Sequence, residues 1–114
     1  PIRSVGGIDF VLGDRYGAAC ASGLTSLCEA LLTERGYRTA RNAPYAGGFI
    51  TAKFGQPHRG VHAVQIEINR ALYLDEDKVS RHSGFPTLRR SMRGVFSDLV
   101  QLDPAALELA RAAE

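Results

Sequence analysis

The stretch Val61-His62-Ala63-Val64-Gln65-Ile66-Glu67-Ile68-Asn69 decides the fold. Val64, Ile66 and Ile68 alternate with Gln65, Glu67 and Asn69, the period of two that sends successive side chains to opposite faces of a strand. Its β-branched residues favour a pleated, buried setting and predict a central strand. A polar row on such a strand is costly unless its members are paired or used. Glu67 sits near the C-terminal end of the stretch, where open α/β sheets collect their ligand sites.

Working outward, Ile8 to Leu12 reads as a short buried strand, stopped by the glycine-flanked loop Gly13-Asp14-Arg15-Tyr16-Gly17. Ser22 to Arg35 reads as a helix whose Leu24, Leu27, Cys28, Leu31 and Leu32 form one apolar stripe, with Ser22 as N-cap and Gly36 as the left-handed residue that ends it. Tyr37 to Ala40 predicts a second short strand. Arg41 to Gly60 is irregular, and Phe49 to Phe54 within it predicts a short strand or hairpin arm. Phe85 to Leu102 predicts an amphipathic helix with Leu88, Met92, Val95, Leu99 and Leu102 on one face. Asp103 caps a last helix, with Pro104 in its first turn and Ala105 to Ala113 filling it. The order β-α-β-loop-β-α-α implies an α/β sheet covered by helices.

The 114 residues, 45% of them hydrophobic, suffice for one domain with a modest core. No apolar run is long enough to span a bilayer, and the N-terminal segment lacks the apolar core of a signal peptide. The chain starts with Pro, which leads us to expect a fragment or a processed chain. A net charge of +2, with 14 basic and 12 acidic residues, argues against a nucleic-acid-binding protein. Arg81, Arg89, Arg90 and Arg93 nevertheless cluster, as a solvated helix face or a phosphate-binding patch. Cys20 and Cys28 are too few for a disulfide scaffold and read as reduced small hydrophobes, consistent with a cytoplasmic protein.

Glu67 is the first candidate for chemistry, as a general base that activates water or as the partner of a nearby arginine. Arg15 and Arg70 each follow a predicted strand, where an arginine fork can hold a carboxylate or pair internally with Asp14, Asp75 or Glu76. The segment Asn42-Ala-Pro-Tyr45-Ala-Gly47-Gly48 can bring backbone N–H groups to a ligand or simply turn. His58 and His62 have metal-like spacing but flank a loop-to-strand junction, so a helical metal pair is rejected and His62 reads as a core or hydrogen-bonded histidine. No zincin His-Glu-x-x-His, Cys-x-x-Cys, phosphate-loop or Gly-x-Ser-x-Gly motif is present.

Taken together, Gly13-Asp14-Arg15-Tyr16-Gly17, the Cys20-led helix, the stretch from Asn42 to Thr51, Phe54-Gly55-Gln56-Pro57 and the stretch from His62 to Glu76 resemble the C-terminal half of the N-formylglutamate amidohydrolase family. The resemblance runs from about Ile8 to Leu102. It implies a mixed sheet flanked by helices, like the C-terminal part of a zinc-carboxypeptidase-like (phosphorylase/hydrolase-like) fold, spanning 1–114 as a single segment. It further implies a zinc-dependent hydrolase that cleaves N-formyl-L-glutamate, or a related N-acyl amino acid, in histidine catabolism. Glu67 matches the family's catalytic carboxylate, and Arg15, Asn42, Tyr45 and Arg70 match motif positions that border the substrate pocket. The family's zinc ligands lie upstream of the matched region, so no metal ligand is assigned here; His82-Ser83-Gly84 has the look of a ligand turn in the wrong place.

Two functional expectations follow. In the first, the chain is the C-terminal portion of such a hydrolase, with Glu67 facing an open cleft and a missing N-terminal half as its partner. In the second, it is a non-catalytic remnant that acts as a binding or homodimerisation module. Neither involves nucleic acid or a membrane.

Overall fold

The computed structural model describes residues 7–107, apart from 76 and 79. Its main sheet has the strand order β2–β1–β3, with β1 (Phe10–Gly13) in the centre, parallel to β2 (Thr39–Arg41) and antiparallel to β3 (Gln65–Ile68). The helix α1 (Ser22–Glu34) makes the β1–β2 crossover. The short helix α2 (Phe49–Phe54) follows β2; a two-stranded hairpin of β4 (Leu74–Asp75) and β5 (Ser80–Arg81) follows β3 and leads into α3 (Gly84–Val100). The sheet is therefore mixed and flanked by helices, as expected.

Register separates the sheet into two unlike faces. Phe10 pairs with Ile68 and Leu12 with Ile66, so all four point to one side. There Phe10 and Leu12 are fully buried with Cys28, Leu31 and Leu32 of α1 and Leu88, Met92 and Val95 of α3. The Phe10 and Tyr37 rings meet edge-on at 5.0 Å, and the Tyr37 hydroxyl bonds Ser91 Oγ at 3.0 Å, tying α3 to the same core. Each fully buried large side chain of this set contributes roughly 1.5–3 kcal/mol. Val11 pairs with Glu67 and Gly13 with Gln65, so these four point to the other side. Over Gly13 the chain of residues 46–47 passes so closely that an added Cβ would lie 2.8 Å from Ala46 C and Gly47 N.

The two long helices form where the apolar periodicity places them. Gly36, at φ 86°, ends α1, with its N–H donated to Thr33 O and the Tyr37 N–H to Leu32 O. Other expectations need correction. Ser22 is the first helical residue, not the N-cap; that position is Ala21, which makes no side-chain cap. The strand expected from Tyr37 begins at Thr39, because Tyr37 is spent on the core. Residues 49–54 are helical, not extended: the Thr51 hydroxyl donates to Gly48 O at the helix start, and Lys53 lies over the Phe49 and Phe54 rings. β3 is not central, for among the described residues β1 is its only strand neighbour. Asp103 does cap a helical turn at 104–107, accepting the Ala105 N–H at 2.9 Å; the remainder of the expected last helix lies outside the described residues.

Candidate active site

Glu67 stands on the face opposite the core, exposed, in a cleft of about 230 Å³ lined with Asp9, Val11, Pro44, Tyr45 and Asn69. Its described hydrogen bond comes from Gln65 Nε2, at 2.5 Å, and no ion pair engages it among the described residues. The internal salt bridge, one of the two readings of Glu67, is not formed among the described residues. Because β3 runs antiparallel to β1 and β2, Glu67 lies beside Val11 at mid-strand and not at the C-terminal rim of the two parallel strands. Gln65 holds it: Oε1 accepts the Gly48 N–H at 2.8 Å, which fixes the amide and aims its NH₂ at the Glu67 carboxylate.

Asp9 is the residue that sequence reasoning missed. It is fully buried, its Oδ2 accepts the Arg38 N–H at 2.7 Å with Arg38 Nε at 3.7 Å, and its Oδ1 has no hydrogen-bond partner among the described residues. The only sequence signal was alternation with Val11, which sets Asp9 on the same face as Glu67.

The loop after β1 presents Arg15. Arg15, Tyr16 and Gly17 are consecutive left-handed residues at φ 55°, 56° and 87°. For the two non-glycine residues this conformation costs of order 1 kcal/mol each and persists only where the surroundings over-determine it. Asp14 and Asn42 do so here. Asp14 Oδ1 accepts from Gly17 N and Asn42 Nδ2, Asp14 Oδ2 accepts the buried Thr25 hydroxyl at 2.7 Å, and Asn42 Oδ1 accepts from Asp14 N and Tyr16 N. Burial by itself would raise the Asp14 pKa, but the bonds from Thr25, Asn42 and Gly17, with the charge of Arg41, hold the carboxyl below its usual value. Asn42, itself left-handed at φ 60°, thus has its amide committed to the loop. Arg15 is exposed and rests its stem 3.4 Å from where a Gly47 Cβ would be.

Tyr45 is exposed and shares the cleft with Glu67. The Gly47-Gly48 pair serves the turn: a Cβ on Gly47 would collide with the Thr51 side chain, and the Gly48 N–H is taken by Gln65. Arg70 opens a short 3-10 turn, Arg70–Leu72, beyond the far end of β3 from Arg15 and does not line the cleft. The structure therefore brings Glu67 and Tyr45 together, sets Arg15 beyond one end of the β1–β3 pair, and leaves Arg70 beyond the other.

His62 is hydrogen-bonded as expected, its Nδ1 accepting the Ala21 N–H at 3.0 Å. His82 bonds Ala71 O through Nε2 and Gly84 N through Nδ1, which accounts for His82-Ser83-Gly84 as a helix entry. Cys20 and Cys28 are free and buried, and burial pushes the Cys28 thiol up to about 11, so neither is a ready thiolate. Among the described residues, no three His, Cys, Asp or Glu side chains are grouped to hold a metal ion. Among them, too, no helix is long and apolar enough to cross a membrane.

Known proteins supply the context for this arrangement. The family model for N-formylglutamate amidohydrolase matches residues 4–74, more than half of the chain. An N-formylglutamate deformylase of Pseudomonas aeruginosa is 35% identical over 94 residues, covering 82% of this chain and 35% of the relative. Its counterpart from Pseudomonas putida is 36% identical over 69 residues, covering 60% of this chain and 26% of the relative. A crystal structure of N-formylglutamate amidohydrolase from Ralstonia eutropha JMP134 superposes with a TM-score of 0.76 at 38% identity, covering 99% of this chain and 38% of that one. The chain thus spans about a third of the length of these relatives. Matched by the family model over more than half of its length and by the fold of a solved member, it belongs to the N-formylglutamate amidohydrolase family.

Proposed function

We propose that this chain supplies the carboxylate-bearing wall of an amide-hydrolysing site whose substrate is N-formyl-L-glutamate or a related N-acyl amino acid. The observation that carries the reading is Glu67: an exposed carboxylate, steadied by Gln65 and with no ion pair among the described residues, in a cleft beside Tyr45. Glu67 takes a proton from water as the water oxygen bonds to the formyl carbon. It returns that proton to the nitrogen as the C–N bond breaks, giving formate and glutamate. Arg15, displayed by its strained loop, and Arg70, next to the cleft-lining Asn69, are the two candidates for a substrate carboxylate; Tyr45 borders the pocket, and Asn42 holds the Arg15 loop.

The reading includes a full-length hydrolase of which this chain is the C-terminal portion, with a zinc-carboxypeptidase-like sheet, a role in histidine catabolism and a cytoplasmic setting. The described residues do not fit a zinc site by themselves. The expected zinc belongs to an N-terminal half, where it would polarise the attacking water.

The test is formate release from N-formyl-L-glutamate by the full-length protein. Glu67→Gln is expected to lower kcat by about 10²–10⁴-fold with little change in KM. Unchanged turnover removes Glu67 from the mechanism.

A second reading, a homodimerising remnant without catalysis, draws support from the exposed Phe49, Ile50 and Phe54 of α2. Native mass with metal analysis separates the two. A second polypeptide with zinc favours the hydrolase, and a metal-free homodimer of this chain favours the remnant.

A further inference from the structure

The chain carries a second concave site on the helix-covered side of the sheet. A groove of about 450 Å³ is lined by Arg81 of β5 and by Phe85, Pro86, Arg89, Arg90 and Arg93 of α3. Among the described residues, no carboxylate lines it. The four arginines are exposed, and among the described residues none makes an ion pair or a side-chain hydrogen bond. This differs from Arg35 at the end of α1, which pairs with Asp98, and from Arg41 at the end of β2, which makes two bonds to Glu29. The Arg81 guanidinium lies 4.3 Å from the Phe85 ring centroid, and that stacking holds one charge at the groove wall. Phe85, Arg89 and Arg93 recur every four residues on the helix, so they form one stripe beside the face that buries Leu88, Met92 and Val95.

In a chain whose net charge is only +2, four converging cations with no ion pair among the described residues are a local concentration of charge that repels itself until an anion enters. Guanidinium forks match phosphate oxygens bidentately, and four of them match a multiply charged anion better than a single carboxylate. We propose that this groove binds a small polyphosphate-bearing anion, with Arg89 and Arg93 gripping phosphate oxygens from α3 and Arg81 closing from the hairpin. The site is separate from the Glu67 cleft, because α3 packs on the sheet face opposite Glu67.

The test is calorimetric titration of the chain at low salt with inorganic triphosphate, ATP, glutamate and a short single-stranded oligonucleotide. Saturable one-to-one binding of triphosphate is expected, weakened by salt. ATP binding like triphosphate means that the phosphates alone are read; tighter ATP binding means that the Phe85–Pro86 wall also holds the organic group. The double variant Arg89→Ala/Arg93→Ala should weaken binding by about tenfold or more with an unchanged circular dichroism spectrum. Arg59→Ala, outside the groove, should leave it unchanged. Absence of saturable triphosphate binding, equal weakening by Arg59→Ala, or tighter binding of glutamate or the oligonucleotide would overturn the assignment.

Discussion

The two faces of the β2–β1–β3 sheet differ in what they ask of neighbouring residues on the same strands. On one face Phe10 and Leu12 vanish from solvent against α1 and α3, with Ile66 and Ile68 packed partly buried beside them. On the other, one residue along each strand, Val11 and Glu67 border an open cleft crossed by residues 44–47. The first face is where burial stabilises the fold. The second tolerates an exposed carboxylate because the first has already supplied the packing. Packing and the proposed chemistry are thus divided by the pleat, a separation of one residue in sequence.

Changes on the packed face should cost stability first. Leu32→Ala, at a fully buried position, is expected to lower unfolding free energy by about 3 kcal/mol in urea titration. A cost below half of that would mean that the helix layer is looser than described.

Asp14 stands at the junction, under the loop that displays Arg15. Asp14→Asn should cost about 2 kcal/mol at neutral pH. Its carboxyl is held below the ordinary 3.8, so its contribution is complete above that value and is lost as pH falls through the lowered one. Variant and wild-type stabilities should therefore converge in acid; a constant gap down to the lowest measurable pH would contradict the bonded, ionised Asp14.

The smallest effect on stability is expected on the open face. Under the proposed function, Arg15→Ala or Arg70→Ala raises KM for N-formyl-L-glutamate by about tenfold with stability nearly unchanged, and the one that does is the carboxylate clamp. An unchanged KM in both would place the clamp outside these residues.

Much of the packed face was legible because helices advertise a buried stripe. Leu31, Leu32, Leu88, Met92 and Val95 all lie where the periodicity puts them. The alternation around Glu67 likewise gave the two faces of β3. It could not give the strand's neighbours: period two is the same for an edge strand and a central one, and β3 proved to border β1 alone among the described residues. The 49–54 segment misled because Phe, Ile and Thr favour strands, while its helix is set by Thr51 on Gly48 and by Lys53 between two rings. Asp9 stayed hidden because a lone Asp within a short strand has no pattern, and its partner, the Arg38 N–H, is a backbone group that sequence does not mark.

The most direct test of the division between faces is to measure turnover and melting temperature of Glu67→Gln on one preparation of the full-length protein. The account predicts a large loss of kcat with the melting temperature unchanged or slightly raised, since an exposed carboxylate without an ion pair contributes little to stability. A melting temperature lowered by several degrees, with turnover retained, would show that Glu67 holds the sheet together and that the open face is structural.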